Sequence, residues 1–529
     1  MPTYLTPGVY VEEVPSTSKP MEGVSTSIAA FVGLAPGGPI NTPMRISNWT
    51  QFAKIYGDAV EPENGPFMEG AYLAHAVYGF FQNGGSLCWI VRAGQAGGGG
   101  AAAAPQAALP AAADSGVETL RVLALPETEG QVKVEISENP VIRNDGDGEG
   151  DKPADKEPTY KITISAASSD VESFDGLTLK KGRNNIATKI NAASKLVRIE
   201  ETGSALPEAQ RAPASGTYVL SAPSVAVDKI TASDFAGDVA KRRGIGGLAA
   251  VDEITMVAVP DLWALAENGN GKVVKDLQGK LIAHCENAGD RMAILDAPNG
   301  MLPQDVLDWR MNDAGYDSKY AALYWPWIEV MNPLTNKPLT IPPSGHVAGV
   351  WCRTDATRGV HKAPANEVTL GANSVAFQIT HAEQGSLNKA GINCIRAFPG
   401  RGIRIWGART LSSDPEWRYI NVRRLFNYVS ESIMQGTQWS VFEPNDQKLW
   451  IQLRIAASSF LTRTWREGAL FGSSPEQAFF VKCDEETNPP DVIEAGQVVC
   501  EIGIAPVKPA EFVIFRLSQY AEGGGEIEA

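Results

Sequence analysis

Between residues 254 and 330 the apolar positions alternate between short continuous runs and helical stripes. The pattern predicts a strand over 254–260, a helix over 272–287, a strand over 291–297, a helix over 304–312 and a strand over 320–330. Apolar runs without polar interruption suit strands covered on both faces, and β-α-β-α-β spacing suits a parallel sheet. Residues 23–92 repeat the theme in brief, with strands expected at 27–34 and 87–92 and helices at 50–57 and 67–81. Each stretch alone would leave a sheet short of strands, so the economical reading joins them into one doubly wound α/β domain, 23–95 plus 248–394. Between them lies a Gly/Ala-rich run from Gly94 to Ala113 that reads as a linker, followed by short alternating stretches at 118–125, 132–137, 160–166 and 217–222. Period-two alternation separated by turn residues predicts a β-rich insertion, so 96–247 is assigned to linker plus inserted domain. A last α+β domain is expected over 395–509, with strands at 402–410 and 417–421. A helix then starts at Val422, capped by Asn421 and stopped by Gly436 as C′.

The ends break the usual pattern of polar, frayed termini. Residues 5–14 (LTPGVYVEEV) and 511–520 (EFVIFRLSQY) are both β-prone and apolar. They are read as extended arms, 1–22 and 510–529, that complete a local sheet or add to the sheet edge of a neighbouring chain. Four buried apolar side chains in one arm would contribute roughly 6–12 kcal/mol before ordering entropy is subtracted.

Charge and composition narrow the function without naming it. With 529 residues and 43% hydrophobic content the chain supports several cores, and no apolar run reaches the length of a membrane span. A formal charge of −15 argues against wholesale nucleic-acid binding. Met1–Tyr10 carries neither a basic nor an apolar export region, so synthesis in the cytoplasm is expected. Six scattered cysteines without a C-x-x-C pair point to reduced, mostly buried thiols and not to a zinc or disulfide framework.

Candidate chemistry is thin. Asp261 and Asp296 fall at the C-terminal ends of two expected parallel strands, where open α/β sheets place ligand-binding groups. A hydrolase or a ligand-binding module could be built there, yet Asp also caps helices and starts turns, and no G-x-S-x-G elbow or H-E-x-x-H motif accompanies them. His75, His284, His346, His361 and His381 are too dispersed for ligand spacing. Ser344-Gly345-His346 could pair a hydroxyl with a base, but reads better as Ser344 capping a helix toward Trp351. Asp145, Asp147, Glu149, Gly150 and Asp151 imitate a calcium loop whose twelfth position, Lys156, lacks the required carboxylate. Gly244-x-Gly246 and Gly271-Lys272 lack the context of a phosphate loop. No catalytic residue, metal or cofactor is assigned. In the last domain Leu449, Leu453, Ala456, Phe460 and Thr464 form a helical stripe, with Lys448, Arg463 and Arg466 on the opposite face, suited to solvent or to an acidic partner.

Several segments together resemble the contractile tail sheath family of phage tails, type VI secretion systems, pyocins and extracellular injection particles. They are YLTPGVYVEEVPS (4–16), GVSTSIAAFVG (23–33), PPSGHVAGVWCRTDATRGVHKAPAN (342–366), GIRIWGARTL (402–411) and WRYINVRRLFNYVSESI (417–433). The resemblance implies a non-enzymatic structural subunit, with a subtilisin-like α/β domain that lacks protease chemistry and a C-terminal domain facing an inner tube. Its expected partners are further copies of itself in a helical sheath, the inner tube protein, and baseplate and terminal cap proteins. Nucleic acid and direct membrane insertion are not among them. Arm contacts are expected at Val9, Tyr10, Val11, Phe512, Val513, Ile514 and Phe515, and tube contacts at Lys448, Arg463 and Arg466. Assembly would take place in the bacterial cytoplasm, with release as an extracellular particle compatible with the same family, and a phage tail sheath as the alternative setting.

Overall fold

A computed structural model describes residues 21–58, 62–94, 105–112, 117–125, 132–139, 158–166, 171–202, 211–220, 230–268 and 271–516. The expected N-terminal arm, with Val9, Tyr10 and Val11, and the calcium-like loop lie outside these residues.

The apolar runs become strands whose successive side chains enter opposite cores. The strands are β1 (Ile28–Gly33), β2 (Met44–Ile46), β3 (Leu87–Arg92), β4 (Met256–Ala258), β5 (Met292–Asp296), β6 (Ala321–Trp325), β7 (Glu367–Val368), β8 (Ile392–Phe398) and β9 (Gly402–Ile405). They form one sheet in the order β7-β9-β8-β6-β5-β4-β1-β3-β2. The six strands from β8 to β3 run parallel, β9 and β2 run antiparallel to them, and β7 pairs antiparallel with β9 at the outer edge. Ala30, Val32, Ala293, Leu295, Ala321 and Leu323 face one core, while Ala29, Phe31, Met292, Ile294, Ala322 and Tyr324 face the other. This is the period-two consequence of covering a parallel sheet on both sides.

Helices α1 (Trp49–Tyr56), α2 (Leu73–Gln82) and α4 (Ser344–Arg358) cover the second face. Helices α3 (Gly271–Ala288) and α5 (His381–Lys389) cover the first. Contact between α2 and α4 is unusually close. A Cβ at Gly345 would lie 2.4 Å from the Ala76 backbone, and one at Gly349 2.4 Å from the Phe80 carbonyl oxygen. Two glycines one turn apart therefore make the flat strip that lets α4 touch α2.

The α/β core reaches beyond the boundaries drawn from sequence. Ile230, Phe235, Ile245 and Leu248 belong to it, so a boundary at 247 cuts through its packing. The boundary at 395 falls inside β8, which is paired with β6. The expected strand over 320–330 also divides. β6 stops at Trp325, and Ile328–Met331 joins a separate sheet with Pro338–Ile341 and Ala372–Val375.

The insertion has its own core between two small sheets. One contains 106–110, 118–124 and 197–201, and the other contains 216–219, 132–139, 159–166 and 171–177, with a helix at Ile186–Ala193. Gln106–Pro110, read from composition as linker, is a strand paired with Glu118–Ala124.

Helices α6 (Ile420–Thr437) and α7 (Gln447–Arg466) pack with the hairpin Phe479–Lys482 and Glu501–Ile504 around Leu425, Val429, Ala456, Phe460 and Leu461. The strand expected at 417–421 is instead a 3-10 turn, Pro415–Trp417, leading into α6. Tyr419 occupies the N-cap position, and Asn421 lies inside the helix, donating its amide to the carbonyl oxygens of His361 and Val507. Gly436 does not stop the helix. A Cβ there would sit 2.3 Å from Met21 Cγ, so glycine makes room for the incoming N-terminal segment.

Candidate assembly surfaces

The two aspartates at strand ends are occupied by the fold itself. The Asp261 carboxylate is fully buried. It accepts the Leu34 N–H at 2.6 Å and the Tyr72 N–H, fixing the turn after β1 and the start of α2. Burial pushes its pKa up to about 7, against the pull of the backbone donors. Asp296 Oδ1 accepts the Ser344 N–H at 2.9 Å and so orients α4, while its carbonyl oxygen receives Trp263 Nε1 and Gln278 Nε2. Burial raises this carboxyl to about 7 as well. Buried acceptors held by backbone N–H groups in this way pin loops to a sheet, a structural use of both carboxylates. Ser344 is the first residue of α4, after Pro343 at the N-cap position, so the expected Ser344 cap is replaced by an Asp296 contact. Burial lowers His75, His284 and His346 each to about 4, which keeps them neutral in the interior. Among the described residues no cluster of His, Cys, Asp and Glu is grouped to hold a metal ion.

What the fold leaves open lies at its ends. After the hairpin, the chain crosses the first turn of α6 and reaches Glu511. Glu511 Oε1 accepts Asn388 Nδ2 at 2.6 Å and Arg409 Nε at 2.9 Å, and Oε2 accepts Arg409 Nη2 at 2.7 Å and the Tyr419 hydroxyl at 3.1 Å. Partial burial disfavours the charged carboxylate. The hydrogen bonds from Arg409 and Asn388 outweigh it and hold the pKa below the ordinary value. Immediately beyond this clamp Phe512, Val513, Ile514 and Phe515 are 70–85% exposed and belong to no strand. Among the described residues nothing covers these four large apolar side chains, which follow directly on a fixed point and make a contiguous exposed apolar patch.

The hairpin carries complementary deficits. It has two strands, with Phe480 lying over Gly503 across the ladder, and among the described residues each strand has an outer edge without a neighbour in its sheet. Two-stranded sheets are marginal alone, and bare edges template a further strand.

On α7 the expected stripe of Leu449, Leu453, Ala456, Phe460 and Thr464 is buried, and Lys448, Arg463 and Arg466 are exposed. Their roles differ. Arg463 Nη2 donates to the Met21 carbonyl oxygen at 3.0 Å and its guanidinium sits 5.6 Å from the Phe460 ring, so it holds the N-terminal segment. Lys448 and Arg466 remain on the outer face. Arg454 accompanies Arg466 along a shallow groove with Ile455, Ser458, Ser459 and Thr462, a cation the basic-face reading had passed over. Between α6 and α7 the tip exposes Val441 and, completely, Phe442, which adopts a left-handed φ of 68°. An exposed Phe in a loop has no periodic signature, so sequence reasoning missed it.

One buried ion pair joins these surfaces to the main sheet. Arg424 on α6 meets Asp355 on α4 through two hydrogen bonds of 2.9 and 2.5 Å. Both side chains are almost wholly buried, and Thr26 donates its hydroxyl to Asp355 while its carbonyl oxygen accepts Arg424 Nη2. Sheet domain, C-terminal unit and N-terminal root thus share a single junction.

Comparison with known proteins places these features in a family. Residues 229–411 match the phage tail sheath protein central domain and residues 412–519 the phage tail sheath C-terminal domain, together more than half of the chain. The tail sheath protein of Burkholderia phage BcepMu is 24% identical over 96% of this chain and 95% of its own length. That of Vibrio phage KVP40 is 26% identical over 51% of this chain, which spans only 40% of that longer relative. The helical sheath of the anti-feeding prophage in its contracted state superposes with a TM-score of 0.57 at 24% identity, covering 98% of this chain and 100% of that one, a likeness of fold.

Proposed function

Since this chain belongs to the phage tail sheath family, we propose that it is the sheath subunit of a contractile injection system. In this reading it polymerises helically around an inner tube and shortens to drive that tube through a target envelope. The observation that carries the proposal is the row Phe512–Phe515, exposed beyond the Glu511 clamp, in a chain whose hairpin edges are bare. Strand addition between copies satisfies both deficits at once, since the arm brings backbone donors and acceptors to the edge and side chains to the adjoining apolar surface. A contact between different patches, repeated by a rotation that does not close, gives an open helical filament. Contraction is then a switch between two discrete packings, with the exchanged arms keeping neighbours connected throughout.

Finer assignments belong to the same proposal. The α/β domain is of the subtilisin type without its chemistry, the described C-terminal segment and the N-terminal segment both act as arms, and Lys448 and Arg466 with Arg454 face an acidic tube surface. Baseplate and cap proteins terminate the sheath. Assembly takes place in the bacterial cytoplasm, with an extracellular particle as the product. The same subunit would serve a contractile-tailed phage.

The test is negative-stain electron microscopy of the chain co-produced with its tube protein. The proposal expects striated hollow cylinders in long, narrow and short, wide forms, and loss of both when residues 512–529 are deleted. Dispersed, folded subunits from the full-length chain across a range of salt conditions would refute it.

A further inference from the structure

The scattered cysteines contain one pair that the sequence does not announce. The hairpin register pairs Phe479 with Ile504 and Lys482 with Glu501, so the next positions across the ladder are Cys483 and Cys500. Both side chains belong to one apolar cluster with Leu449, Trp450 and Leu453. The Ala505 N–H donates to the Ala478 carbonyl oxygen, which places 478/505 at a hydrogen-bonded position. Alternation along an antiparallel ladder then makes 483/500 a non-hydrogen-bonded pair, where Cα atoms approach to about 4.5 Å. That separation lies at the short end of the range disulfides span, about 4.4–6.8 Å.

We propose that Cys483 and Cys500 are a cross-strand dithiol that closes to a disulfide by exchange with a small-molecule disulfide of the glutathione type. Cys500 is the more accessible thiol, while Cys483 is 2% exposed. The Cys500 thiolate attacks one sulfur of the small disulfide and releases a thiol. The Cys483 thiolate then attacks the Cys500 sulfur of the mixed disulfide and releases the second. Two protein thiols are oxidised, one small disulfide is reduced to two thiols, and both protons leave with those thiols. Cys88, Cys285, Cys352 and Cys394 are each buried to 1% exposure or less and take no part.

The bond would close the loop 484–499 at its base. Asn488 already ties that loop together, donating to the Asp484 and Val499 carbonyl oxygens and accepting the Val499 N–H at 2.7 Å. Cys483 packs with Leu449, Trp450 and Leu453 of α7, with Cys500 and Ile493 against them. Oxidation therefore ties the two ends of the loop together beside the first turns of α7. Whether such a pair is closed follows the redox poise of its surroundings, so the pair stays open in a reducing cytoplasm and closes where a disulfide oxidant is present. The inference concerns the isolated chain and does not depend on the sheath reading.

The test incubates the full-length chain with glutathione disulfide under native conditions, quenches with acid, and counts thiols after denaturation. The expected result is loss of two of the six thiols, recovery of one peptide joined through Cys483 and Cys500, and slower amide exchange over 484–499. In Cys483→Ser, glutathione should remain on Cys500. Six reactive thiols in the treated wild type, glutathione retained on Cys500 there, or a bond that leaves exchange over 484–499 unchanged would each overturn the proposal.

Discussion

The nine-stranded sheet and the two-stranded hairpin show opposite solutions to the same backbone problem. Every residue of β1, β5 and β6 is buried, and the sheet ends in β7, only two residues long, and in β2, three residues long. Short edge strands blunt the tendency of a sheet to recruit more. The hairpin has no fully buried residue in either strand and, among the described residues, no third strand to cover an edge. Where the first sheet is finished by short edge strands, the second has two strands among the described residues, and the proposed assembly role falls on the less finished of the two.

Removing residues 512–529 should sharpen that contrast most. Assembly should be abolished in pelleting and microscopy, while the urea midpoint of the isolated subunit stays where it was. A large fall in the midpoint would mean that the segment serves its own fold. Breaking the junction should do the reverse. Arg424→Ala leaves Asp355 buried without its partner and should cost about 3–5 kcal/mol of stability in urea unfolding, with the far end of the chain unchanged in sequence. A loss near that of a surface substitution would show that the two units are not coupled through this pair.

Acid should act between these extremes. The Glu511 carboxyl is held below its ordinary pKa, so its contribution is complete above the unfolded value, about 4.3, and disappears as pH falls through the lower folded value. Amide exchange at 507–511 should therefore rise below about pH 4 before the α/β core responds, and Glu511→Gln should flatten that step. The smallest effect on the subunit is expected from Lys448→Glu with Arg466→Glu, within about 0.5 kcal/mol of wild-type stability. Sheath yield around the tube should nevertheless fall, and unchanged yield would make this face merely solvated.

Legibility followed the same division. The strands near 256, 292 and 321 could be read because double burial forces uninterrupted apolar runs. The stripe on α7 was legible for the matching reason, one covered face. Strand Val171–Leu177 was not, because only Leu177 is buried and the outward positions carry no consistent alternation. Residues 417–421 misled because Trp417, Tyr419, Ile420 and Val422 favour strands by type. The tertiary tie from the Thr410 N–H to the Arg418 carbonyl oxygen and the packing of Ile420 and Val422 favour a helix entry instead. Asp261 and Asp296 were located correctly relative to the strands, but that they receive the N–H groups of Leu34, Tyr72 and Ser344 depends on loops distant in sequence. Arg409, Asn388 and Tyr419 meet at Glu511 from three such distant segments, and no local pattern could have joined them.

That meeting has a mechanical reading. If a neighbour pulls on the chain beyond Phe512, the load arrives first at a carboxylate gripped by four hydrogen bonds from three residues: Asn388 on α5, Arg409 beside the main sheet with two, and Tyr419 at the head of α6. Tension is divided there between the two rigid parts of the subunit and does not peel the hairpin strand by strand. The clamp works as a cleat, and it allows a marginal two-stranded element to sit next to a line under strain.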